Sequence, residues 1–95
     1  MPAYVIAETD VNDPERYEHY KAAAPDTIAK YGGRYVARGG ALEVLEGDWQ
    51  PPRLVVLEFE DLEAARRWYR SPEYGEAKQL REGAAIMRLV AVEGL

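Results

Sequence analysis

The sequence contains no cysteine, and this absence removes several kinds of chemistry at once. Disulfides, thiolate metal sites, iron–sulfur clusters and a cysteine nucleophile are all excluded. Histidine is almost as scarce, because His19 is the only one. A single imidazole disfavours zinc and histidine-rich iron sites. We therefore expect no metal and no cofactor, and we interpret His19 as an ordinary surface residue.

Long apolar runs and an excess of basic charge are also missing. No stretch approaches the roughly 20 apolar residues that a membrane helix needs, and the N-terminal residues lack the features of a signal peptide. Twelve Lys and Arg residues face 17 Asp and Glu residues, which gives a net charge of −5. Because phosphate backbones attract basic surfaces, this balance argues against nucleic-acid binding. We expect a cytoplasmic protein that binds neither nucleic acid nor membranes.

The composition that remains is that of one small globular domain. The chain has 95 residues, of which 47% are hydrophobic and 31% charged. This length suits a single domain with one hydrophobic core. No linker-like segment divides it, so we treat residues 1–95 as one domain.

Hydrophobic periodicity and turn residues predict four strands and two helical regions. The predicted strands are Ala3–Thr9, Tyr35–Arg38, Arg53–Phe59 and Ala84–Val92, with a further short extended piece at Ala41–Leu45. The first helix begins at Asp13-Pro14 and ends at Gly32-Gly33, and we expect Pro25 to kink or interrupt it. The second begins after Asp61, is interrupted at Ser71-Pro72 and continues as a further helical turn.

The resulting order of strand, helix, strand, strand, helix, strand predicts an α+β fold of the ferredoxin-like βαββαβ type. In this fold an antiparallel sheet carries its helices on one face. The strand Arg53–Phe59 has apolar residues on both of its faces, so the uncovered face of the sheet has an apolar patch too large for a comfortable monomer. We therefore predict a homodimer in which two sheets pack face to face.

Several motifs carry a resemblance to a known family. They are Gly32-Gly33-Arg34-Tyr35, Arg38-Gly39-Gly40, Leu45-Glu46-Gly47, Glu58-Phe59, Ala65, Trp68-Tyr69-x-Ser71-x-x-Tyr74, Arg81 and Glu93-Gly94. Together they resemble the domain-of-unknown-function thirteen-thirty family of the dimeric α+β-barrel superfamily, over nearly the whole chain. The resemblance implies a ferredoxin-like fold and a barrel-forming homodimer. It implies no activity, since relatives in the superfamily include cofactor-free monooxygenases, isomerases, haem-dependent enzymes and ligand-sensing regulators.

Arg38 and Glu58 are the first candidates for a ligand site. Both lie in predicted strands, and Glu58 follows an apolar run, so a partly buried carboxylate there requires a partner. Arg38 could pair with it in a two-pronged manner. The alternative is a structural ion pair without function.

Four residues around the break at Ser71-Pro72 form the best candidate wall of a pocket: Trp68, Tyr69, Ser71 and Tyr74. Aromatic rings with polar groups can line an apolar cavity and orient a ligand. Equally, the aromatic residues could be core and Ser71 a helix cap. Arg81 is expected near the mouth of this pocket, where it could bind a carboxylate or only face a helix C-terminus.

Two classes of function follow from these candidates. The first is a homodimer that binds a small carboxylated or phenolic metabolite between sheet and helices, either as a binding protein or as a cofactor-free enzyme. In it Arg38 and Arg81 would hold the anion, and Glu58, Tyr69 or Tyr74 would move protons. The second is a non-catalytic interaction protein whose aromatic and Arg/Glu cluster only stabilises the dimer. A third hypothesis, a ligand-sensing module, is less favoured because we expect no DNA-binding domain in this chain.

Overall fold

The computed structural model describes the whole chain, Met1–Leu95, and consists of a four-stranded antiparallel sheet with three helices. In chain order the elements are β1 (Ala3–Val11), α1 (Pro14–Lys30), β2 (Arg34–Arg38), β3 (Leu54–Phe59), α2 (Leu62–Tyr69), α3 (Pro72–Gln79) and β4 (Ala85–Glu93). The strands lie in the order β2-β3-β1-β4. The predicted α+β ferredoxin-like fold is therefore confirmed. No helix is long and apolar enough to cross a lipid bilayer.

The core lies between the helices and one face of the sheet. Side chains of a strand alternate between its faces, and in β1 the residues Ala3, Val5, Ala7 and Thr9 are the buried ones. The helices cover them with buried residues, which are Tyr17, Tyr20, Ala24, Thr27, Ile28, Ala64, Ala65, Trp68, Tyr74 and Ala77. The other face of the sheet carries no helix.

The helices begin where the local sequence predicts them to begin. The side chain of Asp13 accepts a hydrogen bond from the Arg16 backbone at 3.2 Å, and Asp61 accepts one from Ala64 at 2.8 Å. Such caps satisfy backbone donors that have no partner inside the helix. Each cap lies within a few residues of the group it binds, so sequence alone reveals it.

The expected interruption at Pro25 is wrong, because α1 is continuous from Pro14 to Lys30. Proline removes the N–H that would bond the carbonyl four residues earlier, which is the carbonyl of Lys21. That carbonyl instead accepts a hydrogen bond of 2.9 Å from Nη2 of Arg38. The donor that the helix lacks is thus supplied by β2.

The short extended piece expected at Ala41–Leu45 does not form a strand of the sheet, and these residues are exposed. β3 already pairs with β1 on one side and with β2 on the other. Both edges of β3 are therefore occupied, and Ala41–Leu45 does not pair with the free edge of β2 either. The β2–β3 connection is an open loop.

We expect Arg38 and Pro25 to be energetically coupled. Arg38→Met should lower the free energy of unfolding by about 1 kcal/mol, the usual net value of one hydrogen bond. In a Pro25→Ala background the restored N–H bonds the Lys21 carbonyl, so the same change should cost much less.

Chemical denaturation of the four proteins of this double-mutant cycle measures the coupling. Arg34→Met serves as control, because Arg34 lies in the same strand and bonds Glu58 rather than the Lys21 carbonyl. Equal costs of Arg38→Met in both backgrounds would show that the contact does not compensate the proline.

Candidate functional site

A groove with a volume of about 430 Å³ lies between the α2–α3 layer and β4. This size falls in the usual range for small-molecule sites. Its lining combines apolar and basic side chains and consists of Val5, Ala65, Arg66, Trp68, Tyr69, Arg70, Lys78, Arg81, Met87, Leu89, Val90 and Ala91. We call it the basic groove.

Arg81 is the most unusual residue of the basic groove. It is only 9% exposed, yet its Nε atom has no hydrogen-bond partner. Its guanidinium lies over the ring of Tyr20, with 5.6 Å from Cζ to the ring centroid. Although burial acts to lower the pKa of Arg81, the Tyr74 and Tyr20 hydroxyls outweigh it and raise the pKa. Arg81 is therefore a buried cation with unused donor capacity.

The other cations of the basic groove lie nearer its rim. Arg66, Arg70 and Lys78 are exposed, and no carboxylate lines the groove. Lys78 donates to the Tyr69 hydroxyl at 2.8 Å and lies over the same ring. In a chain with a net charge of −5, this concentration of positive charge favours an anionic ligand.

Trp68 forms the apolar wall and connects the groove to the core. It is 1% exposed and its ring packs against those of Phe59 and Tyr74 at centroid distances of 5.5 and 4.3 Å. Its indole Nε1 donates to the Thr27 hydroxyl at 3.1 Å. A fixed aromatic wall of this kind can bind the apolar body of a ligand.

Behind Trp68, the buried hydroxyls of Tyr20 and Tyr74 are 2.9 Å apart and share a hydrogen bond. Burial, and then the adjacent Tyr74, raise the pKa of Tyr20 far above its ordinary value. Tyr20 is therefore protonated at neutral pH and acts as a hydrogen-bonding group rather than as a base. The aromatic cluster orders the site but supplies no base.

Ser71 has a structural position. It caps α3 by accepting from the Tyr74 backbone at 3.1 Å, and its hydroxyl donates to the Trp68 carbonyl at 2.7 Å. Of the four residues predicted as a pocket wall, Trp68 and Tyr69 thus line the groove. Ser71 and Tyr74 lie behind them and hold α2 and α3 together.

Arg38 and Glu58 do not form the predicted pair. Glu58 accepts from Nε of Arg34 at 2.7 Å and from the Tyr4 hydroxyl at 3.1 Å, on the face of the sheet without helices. An irregularity between Tyr35 and Ala37 shifts the register of β2 by one residue. Because a one-residue shift exchanges the two faces, Arg34 and Arg38 lie on opposite faces.

Arg38 consequently lies on the helical side, but not in the basic groove. It lines a second cavity near α1, together with Lys21 and Arg53. Arg38 and Arg81 thus line separate cavities and do not act as one clamp. His19 is exposed, and no group of three or more His, Asp or Glu residues is placed to hold a metal ion.

Sequence reasoning did not identify the rim residues Arg66, Arg70 and Lys78, nor the floor residues Met87 and Leu89. The spacing of Arg66 and Arg70 was the available signal, because residues four apart lie on one helical face. Met87 and Leu89 are two residues apart in β4 and therefore share one face of the strand. The sequence does not show which other element that face contacts.

Comparison with known proteins gives a family and a fold. The model of a family described as a domain of unknown function, DUF1330, matches residues 2–95. The resemblance predicted from the sequence is therefore confirmed. No curated protein matches the chain.

Three solved structures share the fold. A protein of unknown function from Rhodopseudomonas palustris is 22% identical with a TM-score of 0.77, over 99% of this chain and 82% of that one. SnoaB from Streptomyces nogalater, a cofactor-independent oxygenase, is 15% identical with a TM-score of 0.67, over 99% and 93%. A dimeric ferredoxin-like protein of unknown function from Thermobifida fusca is 20% identical with a TM-score of 0.67, over 99% and 92%.

We expect Tyr20→Phe to have a cost that depends on pH. At neutral pH it leaves the Tyr74 hydroxyl buried without its partner, which should lower the free energy of unfolding by about 1–3 kcal/mol. Because the raised pKa of Tyr20 stabilises the fold only below the ordinary tyrosine pKa, the wild type should lose stability above pH 10. The variant should lose less over that range.

Urea unfolding between pH 7 and 11 tests this, with Tyr69→Phe as the exposed control. A difference between Tyr20→Phe and wild type that stays constant across this range would contradict the assignment.

Proposed function

We propose that this chain, which belongs to the DUF1330 family, is a homodimer that binds a small anionic metabolite with an aromatic or apolar body. The ligand lies in the basic groove, its anionic group on Arg81 and its body against Trp68, Met87 and Leu89. The observation that carries the proposal is the buried, incompletely bonded guanidinium of Arg81 in a groove without a carboxylate.

The physical argument rests on the cost of burying an unpaired charge. A buried cation is normally paired or hydrogen-bonded, because its desolvation is unfavourable. Arg81 forms no salt bridge with a carboxylate, and its guanidinium lies over a tyrosine ring instead. A carboxylate ligand would provide two acceptors in the planar geometry that guanidinium matches.

Binding is better supported than acid–base catalysis. The groove contains no Asp, Glu or His, Glu58 lies on the other face of the sheet, and Tyr74 is fully buried. One structural neighbour is a cofactor-independent oxygenase, and at 15% identity this likeness shows the fold alone. The residues proposed here therefore bind and orient a ligand, and the cytoplasmic location stays a prediction from the sequence.

The proposed homodimer rests on the sheet face without helices. An apolar band crosses it and consists of Tyr4, Ile6, Leu54, Val56, Ile86, Val90 and Val92. Val90 is 63% exposed and Ile86 is 67% exposed in the single subunit. Packing against a second copy would remove this apolar surface from water. Solved structures with this fold include a dimeric protein.

We expect benzoate and 4-hydroxybenzoate to raise the melting temperature by several degrees at concentrations near 100 times the Kd. The uncharged analogue benzamide should have no such effect, because it lacks the group that Arg81 binds. Arg81→Met should abolish the shift, while Arg67→Met, an exposed arginine on α2, should preserve it.

Isothermal titration of the same compounds provides a second measurement. If Arg81→Met does not fold, the rim variant Arg66→Gln/Arg70→Gln provides the test. It should weaken binding severalfold and make the remaining affinity less dependent on salt concentration. A panel of aromatic carboxylates should be tested up to about 10 mM, which detects even weak binding. If none of them binds saturably, the anion groove is refuted and a purely structural role is favoured.

We expect Val90→Glu to convert the homodimer into a folded monomer. The introduced carboxylate is tolerated on an exposed face but is strongly unfavourable when buried without a partner. Leu80→Glu is the matched control, because Leu80 is also exposed but lies at the end of α3. Sedimentation equilibrium at micromolar concentration measures the outcome. A monomeric wild type would contradict the proposed dimer.

A further inference from the structure

The second cavity lies near the middle of α1 and contains an unusual pair of arginines. Arg38 and Arg53 line both a small buried cavity and the open depression above it, and Lys21 joins them in each. Neither arginine forms a salt bridge, although the acidic Glu18 lines the same depression. The Glu18 carboxylate is bonded to Lys21 at 3.3 Å. Glu18 is thus paired with Lys21, and neither guanidinium group has a carboxylate partner of its own.

Both arginines are held in place by other parts of the chain. Arg38 donates to the Lys21 carbonyl that Pro25 leaves free, and its guanidinium lies 4.5 Å from the Tyr35 ring centroid. Arg53 lies against Gly39, where an added Cβ would be 2.1 Å from Nη1. Gly39 also has a φ of +69°, which favours glycine. The Arg38-Gly39-Gly40 motif therefore positions both guanidinium groups.

Buried polar atoms without partners lie beside this pair. Nε of Arg53 has no hydrogen-bond partner, and neither has Oγ1 of Thr9. The two residues are neighbours, since the Thr9 backbone donates to the Arg53 carbonyl at 2.9 Å. Buried polar groups are nearly always satisfied by protein or by another polar molecule. The unused Nε donor of Arg53 therefore lies where two guanidinium groups have no carboxylate partner.

We propose that Arg38 and Arg53 form a second anion site, distinct from the basic groove, that binds a short-chain carboxylate. The carboxylate binds the two guanidinium groups and Lys21 in the depression. Its tail enters the cavity below, which has a volume of about 30 Å³ and mostly hydrophobic walls that include Tyr17, Tyr35 and Leu57. This volume exceeds that needed for one water molecule and excludes an aromatic ring.

The experiment is a titration of isotope-labelled protein with sodium formate and sodium propionate, followed by the backbone amide and arginine Nε resonances. Propionate should give saturable shifts at Lys21, Arg38 and Gly39, and it should bind tighter than formate by about fourfold for each added methylene that is buried. The resonances of Tyr69 and Lys78 report the basic groove separately, so failure of one site leaves the other testable.

Three variants define the site. Arg53→Gln should weaken propionate binding about tenfold or more, as expected for loss of a charged hydrogen bond. Gly39→Ala should weaken it similarly without altering any charge, because the new Cβ displaces the Arg53 guanidinium. Arg34→Gln is the control: Arg34 lies in the same strand as Arg38 but on the opposite face of the sheet, so this variant should leave binding unchanged.

Three results would overturn the site. The first is that the propionate-induced shifts do not saturate below about 50 mM, because binding weaker than this is not specific. The others are shifts that persist in Arg53→Gln, and an equal loss in Arg34→Gln, which would show a general charge effect. Formate binding as tightly as propionate would refute the apolar tail pocket and with it the assigned class of ligand.

Discussion

The packing of Trp68 is the contact on which the helical layer depends. Its ring lies against Phe59 of β3 and Tyr74 of α3, and its indole N–H binds Thr27 of α1. One side chain thus connects the sheet to all three helices. It also lines both the basic groove and the cavity beneath the arginine pair, so the geometry of the two proposed sites is set by the same residue.

The local parts of this structure could be predicted from the sequence. The caps at Asp13 and Asp61 bind groups three residues away, and the break at Ser71-Pro72 lies beside the cap that produces it. Such signals need no knowledge of the fold. The order of the elements followed from them, and the topology followed from that order.

The failures concern residues whose partners lie far along the chain. Pro25 did not interrupt α1, because Arg38 satisfies the carbonyl that the proline leaves free, and nothing near Pro25 indicates this donor. The pairing of Arg38 with Glu58 failed because one irregularity in β2 moves Arg38 to the helical face. Regular alternation would have placed Arg34 and Arg38 on the same face. The position of Arg38 in the second cavity depends on this single shift, which the sequence does not show.

Charged side chains are bonded differently on the two faces of the sheet, and this difference supports a separate role for each face. On the helical side Arg38, Arg53 and Arg81 have no carboxylate partner, whereas on the uncovered face Glu58 and Glu8 are each bonded twice. Glu58 accepts from Arg34 and Tyr4, and Glu8 accepts from Trp49 and Arg88. The Trp49 bond, and then the Arg88 bond, lower the pKa of Glu8.

A carboxylate satisfied within its own subunit can be covered by a second sheet without leaving an unpaired buried charge. The bonding of Glu58 and Glu8 is therefore compatible with the proposed dimer contact, while Arg81, Arg38 and Arg53 on the helical side have no carboxylate partner and suit the proposed anions. The two surfaces meet at the edge strand β4, where Val90 belongs to the apolar band and also lines the basic groove. The arginine pair shares no lining residue with the apolar band, so a ligand can bind there without separating the proposed dimer.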